Sequence, residues 1–194
     1  MSRQLLTAGV ALVALLSVTA CSGSDDEPQP KPTKSTSATP AAPEQPEGAD
    51  GVTYRIQNWD DYAEDPAILA WKQANEALAA SINQGKVLPS LRRASSKSVL
   101  RENVTAVNNA KKNDWRVKKL GKVRVETADT VGSKATLLVC LWAPSVGLYE
   151  KDGSYYGDKE VFWFRQDSTL KKTSGGWVVA TSKYDGKCPG GAPE

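Results

Sequence analysis

The sequence predicts an α+β domain in which helices come first and an antiparallel sheet follows. Two observations support this fold class. Apolar residues recur at helical spacing between positions 66 and 112, and the spacing changes to two from Trp115 onward. Helices followed by hairpin-connected strands are typical of a domain whose helices pack on one face of its sheet. We therefore expect N-terminal helices packed on a curved antiparallel sheet.

The first helix has clear start and stop signals. Asp65 and Pro66 suit an N-cap and a first helical position. Gly85 ends the run, so the helix is expected over residues 66–84. The helical spacing within it is carried by Ile68, Trp71, Asn75, Leu78 and Ile82.

A second, less regular helix is expected over residues 97–112, with a short helical turn or a loop at 88–95. From Trp115, valines occupy alternate positions, which predicts a long strand. The stretch 119–121 interrupts this alternation and predicts a bulge. Further strands, separated by turns that contain glycine, are expected at 134–143, 159–171 and 176–184.

Residues 1–20 have the pattern of an export signal. A basic start is followed by a mostly apolar run, residues 5–18, that is too short to span a bilayer core of about 30 Å. Small residues then precede Cys21, and this arrangement resembles the lipobox of bacterial lipoproteins. The resemblance implies cleavage after Ala20 and attachment of lipid, including palmitate, at Cys21. An ordinary secretory signal with a coincidental cysteine is the alternative.

Residues 21–50 are predicted to be the lipidated cysteine and a disordered linker. Positions 22–50 contain six of the eleven prolines and no aromatic, Val, Ile, Leu or Met residue. Such a segment cannot bury enough apolar surface to offset its ordering entropy. The folded domain is therefore expected to cover residues 51–194.

Two cysteines, Cys140 and Cys188, remain for the domain once Cys21 is assigned to lipid. An even pair in an oxidising exterior predicts a disulfide. Closing a loop of this length stabilises a fold by roughly 4 kcal/mol in the loop-entropy model. A metal pair, for which partner ligands are lacking, and two buried thiols are the alternatives. We predict no metal and no cofactor.

The chain contains no histidine, which excludes several classes of active site. Ser-His-Asp and Cys-His nucleophile systems, histidine-ligated zinc and a histidine general base all need that side chain. No pair of carboxylates stands out for glycoside hydrolysis. We therefore assign no catalytic residue and expect a protein that is not an enzyme.

The later strands carry a pattern of apolar residues and cysteines. An apolar strand, 135–140, ends in Cys140, a Gly-Trp-hydrophobic strand occupies 175–179, and Cys188 follows. Over residues 58–188 this order resembles the nuclear transport factor 2-like superfamily, and more narrowly the small actinobacterial lipoproteins that carry such a domain. The resemblance implies a cystatin-like cone of helices on a bent sheet. Enzymes of that superfamily place an Asp-His or Tyr-Asp pair in the cone. Because this chain contains no histidine, we carry over no catalytic residue from the resemblance.

All fourteen aromatic residues lie within 51–194. In a cone-shaped fold, four tryptophans are candidates to line a pocket for an apolar or ring-bearing ligand, namely Trp71, Trp142, Trp163 and Trp177. Filling of the core is the alternative role for these four side chains.

Several predicted strands are apolar on both faces. Residues 137–142 carry apolar side chains at odd and at even positions, whereas a sheet covered by helices on one side should be polar on the other. We expect this second face to be covered by residues 51–59, by a second copy of the domain or by another envelope protein.

The predicted domain is basic, with 22 Lys and Arg against 16 Asp and Glu. One face of the long strand carries four of these bases, Arg116, Lys118, Lys122 and Arg124. Such a face suits anionic lipid head groups or wall polymers, and a solvated outer face is the alternative. No signature of nucleic-acid binding is present, so nucleic acid is not an expected partner.

Together these features predict a lipid-anchored cell-envelope protein on the extracytoplasmic side of the membrane. It is expected to act as a non-catalytic ligand-binding or protein-interaction module. A small-molecule isomerase or dehydratase that uses a carboxylate or tyrosine in place of histidine is the alternative. The expected partners are the membrane through the lipid anchor, a small apolar ligand, and a second copy or envelope protein at the sheet face.

Overall fold

The computed structural model describes residues 43–156 and 161–193. The signal segment 1–20, Cys21 and most of the predicted linker lie outside these residues. Among the helices of the described ranges, none is long and apolar enough to cross a membrane. The described elements are β1 (Thr53–Ile56), α1 (Pro66–Gln84), α2 (Pro89–Ala94), α3 (Lys97–Asn113), β2 (Arg116–Val117), β3 (Leu120–Val131), β4 (Lys134–Trp142), α4 (Ala143–Val146), β5 (Leu148–Tyr149), β6 (Tyr155–Tyr156), β7 (Trp163–Thr173) and β8 (Gly176–Cys188).

Helix α1 begins and ends where the sequence predicts. Asp65 caps it, because its Oδ1 accepts hydrogen bonds from the backbone N–H groups of Ala67 (2.8 Å) and Ile68 (3.2 Å). Gly85 ends it in the left-handed conformation, with φ of 62°. The prediction for α3 is also confirmed to within one residue at its C-terminal end.

Five strands form the main sheet in the order β1-β3-β4-β7-β8. Strands β3, β4, β7 and β8 form the expected antiparallel meander, and β1 adds a parallel edge beside β3. Helices α1, α2 and α3 all contact β8. The result is the α+β domain with helices on a curved sheet that the sequence predicts, and the five described strands form an open sheet.

The prediction of a single long strand from Trp115 onward is wrong. The chain forms two strands there, β2 in a small sheet with β5 and β6, and β3 in the main sheet. In β2, Arg116 pairs with Tyr149 of β5. In β3, Leu120 pairs with Thr53 of β1. Two segments that share one alternating pattern therefore separate because each finds a different partner strand.

Successive side chains of β4 point to opposite faces of the sheet and lie in two different apolar clusters. Val139 lies in the main core, which also contains Trp71 of α1. Its neighbour Cys140 lies in a second cluster on the opposite face, together with Trp163 and Cys188. We call the face that carries this second cluster the outer face.

The folded domain starts before residue 51, so the predicted boundary between linker and domain moves toward the N-terminus. Residues 43–50, which we call the strap, lie beside β1. Gln45 Nε2 donates to the carbonyl of Ile56 (3.0 Å), and Gln45 Oε1 accepts from the N–H of the same residue (2.7 Å). Trp59 Nε1 donates to the carbonyl of Pro43 (2.5 Å). The strap thus covers the edge strand β1, whose backbone groups would otherwise be open to pairing.

Candidate functional site

A cleft of about 390 Å³ lies between the strap, α1, α2 and the β7–β8 hairpin. We call it the strap cleft. Its lining includes the side chains that matter for the argument below, Glu47, Asp50, Lys72, Glu76, Arg93 and Trp177. Because one wall belongs to the strap, the cleft exists only while the strap stays docked.

An ion pair between Lys72 and Glu76 forms a deeply buried part of the cleft lining. The two residues are one turn apart on α1, and their side chains are only 2% and 6% exposed. Lys72 Nζ donates to Glu76 Oε1 and to the backbone carbonyl of Pro46 (2.7 Å). The N–H of Tyr54 also donates to Glu76 Oε1 (2.8 Å). The pair therefore ties together α1, β1 and the strap.

Burial raises the pKa of Glu76 above its ordinary value, while the hydrogen bonds from Lys72 and Tyr54 oppose that rise. Both of these hydrogen bonds end on Oε1. Among the described residues, nothing donates to Oε2 of Glu76. This oxygen remains as an acceptor for a ligand, and the raised pKa makes the carboxyl group easier to protonate than an exposed glutamate.

The strap passes directly over this ion pair. A Cβ atom added to Gly48 would lie 1.7 Å from the carbonyl oxygen of Val52 and 3.2 Å from Cδ of Glu76, so only glycine fits there. Farther along, Ser90 Oγ of α2 donates to Asp50 Oδ2 (2.6 Å). The strap is therefore fixed to the rest of the domain at both ends of the cleft.

The four predicted pocket tryptophans do not share one pocket. Trp71 is fully buried in the main core, where its Nε1 donates to Oε1 of the buried Gln166 (2.9 Å). Trp142 and Trp163 lie on the outer face, with ring centroids 5.3 Å apart. Trp177 alone of the four lines the strap cleft. The helices cover the face of the sheet opposite the outer face, so packed side chains fill the space between helices and sheet.

Cys140 and Cys188 lie at disulfide distance, with Cα atoms 6.0 Å apart. They join β4 to the end of β8 across β7, and the bridge belongs to the outer-face cluster. Glu126 Oε1 lies 3.3 Å from Cys140 Sγ, so the three groups form a compact set of potential metal ligands. With both sulfurs bonded to each other, neither is a thiolate, and the set lacks the donors that a metal ion needs.

The chain after the disulfide covers part of the outer face. Trp163 Nε1 donates to the carbonyl of Gly191 (2.7 Å), and Arg124 Nη2 donates to the carbonyl of Pro189 (2.9 Å). The guanidinium of Arg124 also lies 5.2 Å from the ring centroid of Trp163. Residues 51–59 do not take this position, because β1 joins the edge of the sheet instead. The segment 189–191 supplies cover that the sequence analysis did not assign.

The predicted basic face is divided between two sheets. Arg116 forms an ion pair with Asp114 on the side of the small sheet. Lys118 lies over the ring of Tyr149, with Nζ 4.8 Å from the centroid. Arg124 is turned toward the outer-face cluster, where its Nε pairs with Glu126 (2.6 Å).

A different basic set comes together instead. Lys118 and Lys122 line an open groove with Lys119, Leu120 and Trp142. This groove has a volume of about 520 Å³, and its lining also includes Pro144 and Pro193. Lys118 and Lys122, two of the four bases predicted to share one strand face, thus lie beside residues outside that predicted set.

The sequence analysis missed the two buried charges of the strap cleft. Lys72 and Glu76 have the i, i+4 spacing of an ordinary surface ion pair. No local sequence signal distinguishes a solvent-exposed ion pair from an ion pair that a distant segment of the chain covers. The proline-rich composition of the strap pointed away from any covering role.

No family model and no curated protein matches the sequence. Among solved structures, the chain is similar to the intermembrane space region of the chloroplast protein ARC6, with 9% identity, a TM-score of 0.41, and coverage of 67% of this chain and 97% of that one. It is also similar to an NTF2-like protein of unknown function from Shewanella baltica OS155, with 15% identity, a TM-score of 0.37, and coverage of 70% and 100%. Likenesses this slight carry no argument about function.

Proposed function

We propose that this protein is a lipid-anchored, extracytoplasmic ligand-binding module with a nuclear transport factor 2-like cone, and that its ligand occupies the strap cleft. The lipobox-like sequence before Cys21 supports the anchor. The order of helices and meander supports the cone. No catalytic step is part of this proposal.

The observation that carries the proposal is the buried Lys72–Glu76 pair in the lining of a cavity. Such a pair stabilises a fold little compared with apolar side chains of the same volume, because both charges lose their hydration. Stability alone therefore gives little reason for placing these two charges here. Lys72 directs only two of its three protons to described partners, and Glu76 keeps Oε2 without a donor. The pair thus retains one donor and one acceptor for a bound molecule.

The charges of the cleft limit the chemistry of that molecule. Two cations, Lys72 and Arg93, face three acids, Glu47, Asp50 and Glu76, and Arg55 neutralises Glu47 from the side of β1. The cleft is therefore close to neutral overall. Trp177 adds a half-buried ring face on which a flat group can stack. We infer a small neutral or zwitterionic ligand that carries a ring or another flat apolar group.

Native mass spectrometry of the full chain exported by its own host tests this proposal. We expect a discrete extra mass on the folded protein. Trp177→Ala should remove that mass, whereas Trp142→Ala, which truncates a half-buried tryptophan on the outer face, should retain it. A wild-type protein with no added mass, or equal loss in both variants, would contradict binding in the strap cleft.

Ala70→Phe provides a second test that removes no contact. Ala70 is half-buried and lines the cleft, so a larger side chain there occupies the ligand volume. We expect loss of the extra mass with the disulfide and the secondary structure intact. Intact-mass measurement of the same samples reports acylation at Cys21, and an unmodified cysteine would overturn the lipid anchor alone.

One observation favours a second candidate function, an isomerase or dehydratase that uses a carboxylate. Glu76 is a buried carboxyl group with a raised pKa in a cleft, which is the setting of many general acids and bases. Glu76→Gln keeps the shape of the side chain. A module that only binds should release the same compound from both proteins, whereas an enzyme should release product from the wild type and unconverted compound from the variant.

A further inference from the structure

Strand β8 forms one edge of the main sheet, and the second half of that edge is exposed. Ser96, in the link between α2 and α3, covers the first half. Its N–H donates to the carbonyl of Val179 (2.9 Å), and its Oγ donates to the carbonyl of Ala180 (3.3 Å). Among the described residues, no group outside β7 hydrogen-bonds to the backbone of residues 181–186. We call residues 181–186 the open edge.

The central side chains of the open edge face solvent. Lys183 and Asp185 are 74% and 59% exposed, and Tyr184 between them is 59% exposed. Lys183 pairs across β7 with Asp167, which pairs in turn with Leu138 beside the outer-face cluster. Lys183 and Asp185 therefore lie on the outer face, and Tyr184 points to the opposite side of the strand. An exposed edge strand of this kind is a template for one further strand.

The sequence of the open edge is complementary to itself. In a two-fold antiparallel pair of strands, residues at equal distances on either side of the centre face each other. With the centre at Tyr184, Lys183 of one copy faces the partner's Asp185, and the same pair recurs on the other side of the axis. The two tyrosines then meet at the centre, where a pair of aromatic residues stabilises neighbouring strands.

This register distinguishes the open edge from an edge that is only protected against pairing. A lysine on an edge strand commonly prevents association, because identical charges meet when two copies approach. Pairs centred on Lys183 or on Asp185 would indeed place identical charges opposite each other. The acid two residues after the lysine removes that repulsion when the centre is Tyr184. We propose that the open edge pairs with the open edge of a second copy of this chain, so that the two main sheets become continuous.

The pairing is short, and the dimer is therefore weak in dilute solution. The register of β8 against β7 shifts between Phe164 and Gln166, and Gly186 near that shift has φ of 83°. A bulge of this kind bends a strand and limits the contact to about five residues. Attachment of both copies to one membrane, as in the proposed function, would raise their effective concentration. The pairing itself depends neither on the lipid anchor nor on a ligand in the strap cleft.

Two charge variants of the full chain test the register. Lys183→Glu places an acid opposite the partner's Asp185, and Asp185→Lys places a lysine opposite the partner's Lys183. Each should weaken self-association by on the order of ten-fold or more, since facing charges become alike twice in each dimer. Sedimentation velocity of the exported full chain over a series of protein concentrations measures the effect, with detergent in excess so that two chains do not share a micelle. Thermal unfolding should be unchanged, because both side chains are exposed.

Mixing the two variants gives the decisive result. In a mixed pair, each facing position again carries opposite charges, so the mixture should associate as strongly as the wild type. Native mass spectrometry identifies the mixed dimer, because the two variants differ in mass. The matched controls are Lys172→Glu and Asp129→Lys, which make the same charge changes at exposed residues outside the open edge and should associate like the wild type.

Crosslinking locates the two-fold axis. Tyr184→Cys places one thiol from each copy at the centre of the pair, and a short bismaleimide should join them into a covalent dimer. Val131→Cys is the control, because Val131 is 81% exposed at the hairpin between β3 and β4 and should not crosslink. A wild type that stays monomeric at every concentration, association that both charge variants retain, a mixture that fails to associate, or equal crosslinking at the two positions would each overturn the proposal.

Discussion

Lys72 donates a hydrogen bond to Glu76 one turn later on α1, and the two side chains are among the few charged groups of the described residues that are almost completely buried. The backbone of the strap passes over this pair and accepts from Lys72 through Pro46. A single interaction therefore connects the helix, the start of the domain and the cleft.

Lys72→Met should destabilise the protein strongly. It leaves Glu76 buried without its cation, and breaking a buried pair in this way costs about 3–5 kcal/mol. Urea unfolding at neutral pH measures the loss. The double variant Lys72→Met/Glu76→Leu should recover much of the stability, since an apolar pair needs no compensation. A loss below about 1 kcal/mol in the single variant would show that the pair is not buried in solution.

The same variant should acquire a distinctive pH dependence. Burial raises the pKa of Glu76 in the folded state, so the folded protein binds a proton more readily than the unfolded chain. This group therefore favours folding at low pH, and its contribution is lost as the pH rises from the unfolded to the folded pKa. Removal of the Lys72 charge raises the folded pKa further. Unfolding free energies of Lys72→Met should fall more steeply than those of the wild type across this range.

Gln45→Ala should release the strap without unfolding the domain. It removes both hydrogen bonds to Ile56, each worth about 1 kcal/mol. Limited proteolysis and amide exchange should report faster opening of residues 43–50, with the sheet protected as before. Glu44→Ala is the control, because Glu44 is exposed and takes part in none of the strap's described hydrogen bonds. Equal opening in the two variants would show that Gln45 does not hold the strap.

Gly190→Ala should loosen the segment that covers Trp163. Gly190 has φ of 117°, and an added Cβ would lie 3.2 Å from a guanidinium nitrogen of Arg124. We expect increased quenching of tryptophan fluorescence by acrylamide as Trp163 becomes accessible. Gly191→Ala is the matched control, since a Cβ there meets nothing within 4 Å. If both variants behave like the wild type, the segment does not cover Trp163 in solution.

Loss of the Cys140–Cys188 bridge should cost roughly 4 kcal/mol in the loop-entropy model, given the 48-residue separation. Unfolding of the oxidised protein, compared with a Cys140→Ser/Cys188→Ser variant, measures this effect. Since the cleft lies elsewhere, any extra mass seen in native mass spectrometry should survive in the variant. Unchanged stability would indicate that the two thiols are not bridged.

The sequence predicts the parts of this structure that depend on local signals. Asp65 and Gly85 determine both ends of α1, because a cap and a left-handed glycine act within one turn. The parity of Cys140 correctly separates it from Val139 on the two faces of β4. Turns with glycine likewise locate the hairpin between β7 and β8.

The strap cleft could not be predicted from the sequence, because the contacts that form it join residues far apart along the chain. The strap docks because the amide of Gln45 meets the backbone of Ile56, 11 residues away, and because Lys72 meets Pro46, 26 residues away. Composition describes the average preference of a segment, and a few specific hydrogen bonds outweigh it here. The four tryptophans do not form one pocket for the same reason, because what packs against each ring depends on partners that lie far along the chain.

Hydrogen–deuterium exchange of the exported protein, before and after its bound molecule is removed, tests the strap cleft most directly. Removal should accelerate exchange in residues 43–50 and in the α1 segment 69–77, and rebinding should restore protection. Residues 138–142 of β4, a central strand that does not line the cleft, serve as the internal control and should not change. A change confined to the outer face, or none in the strap, would contradict binding in this cleft.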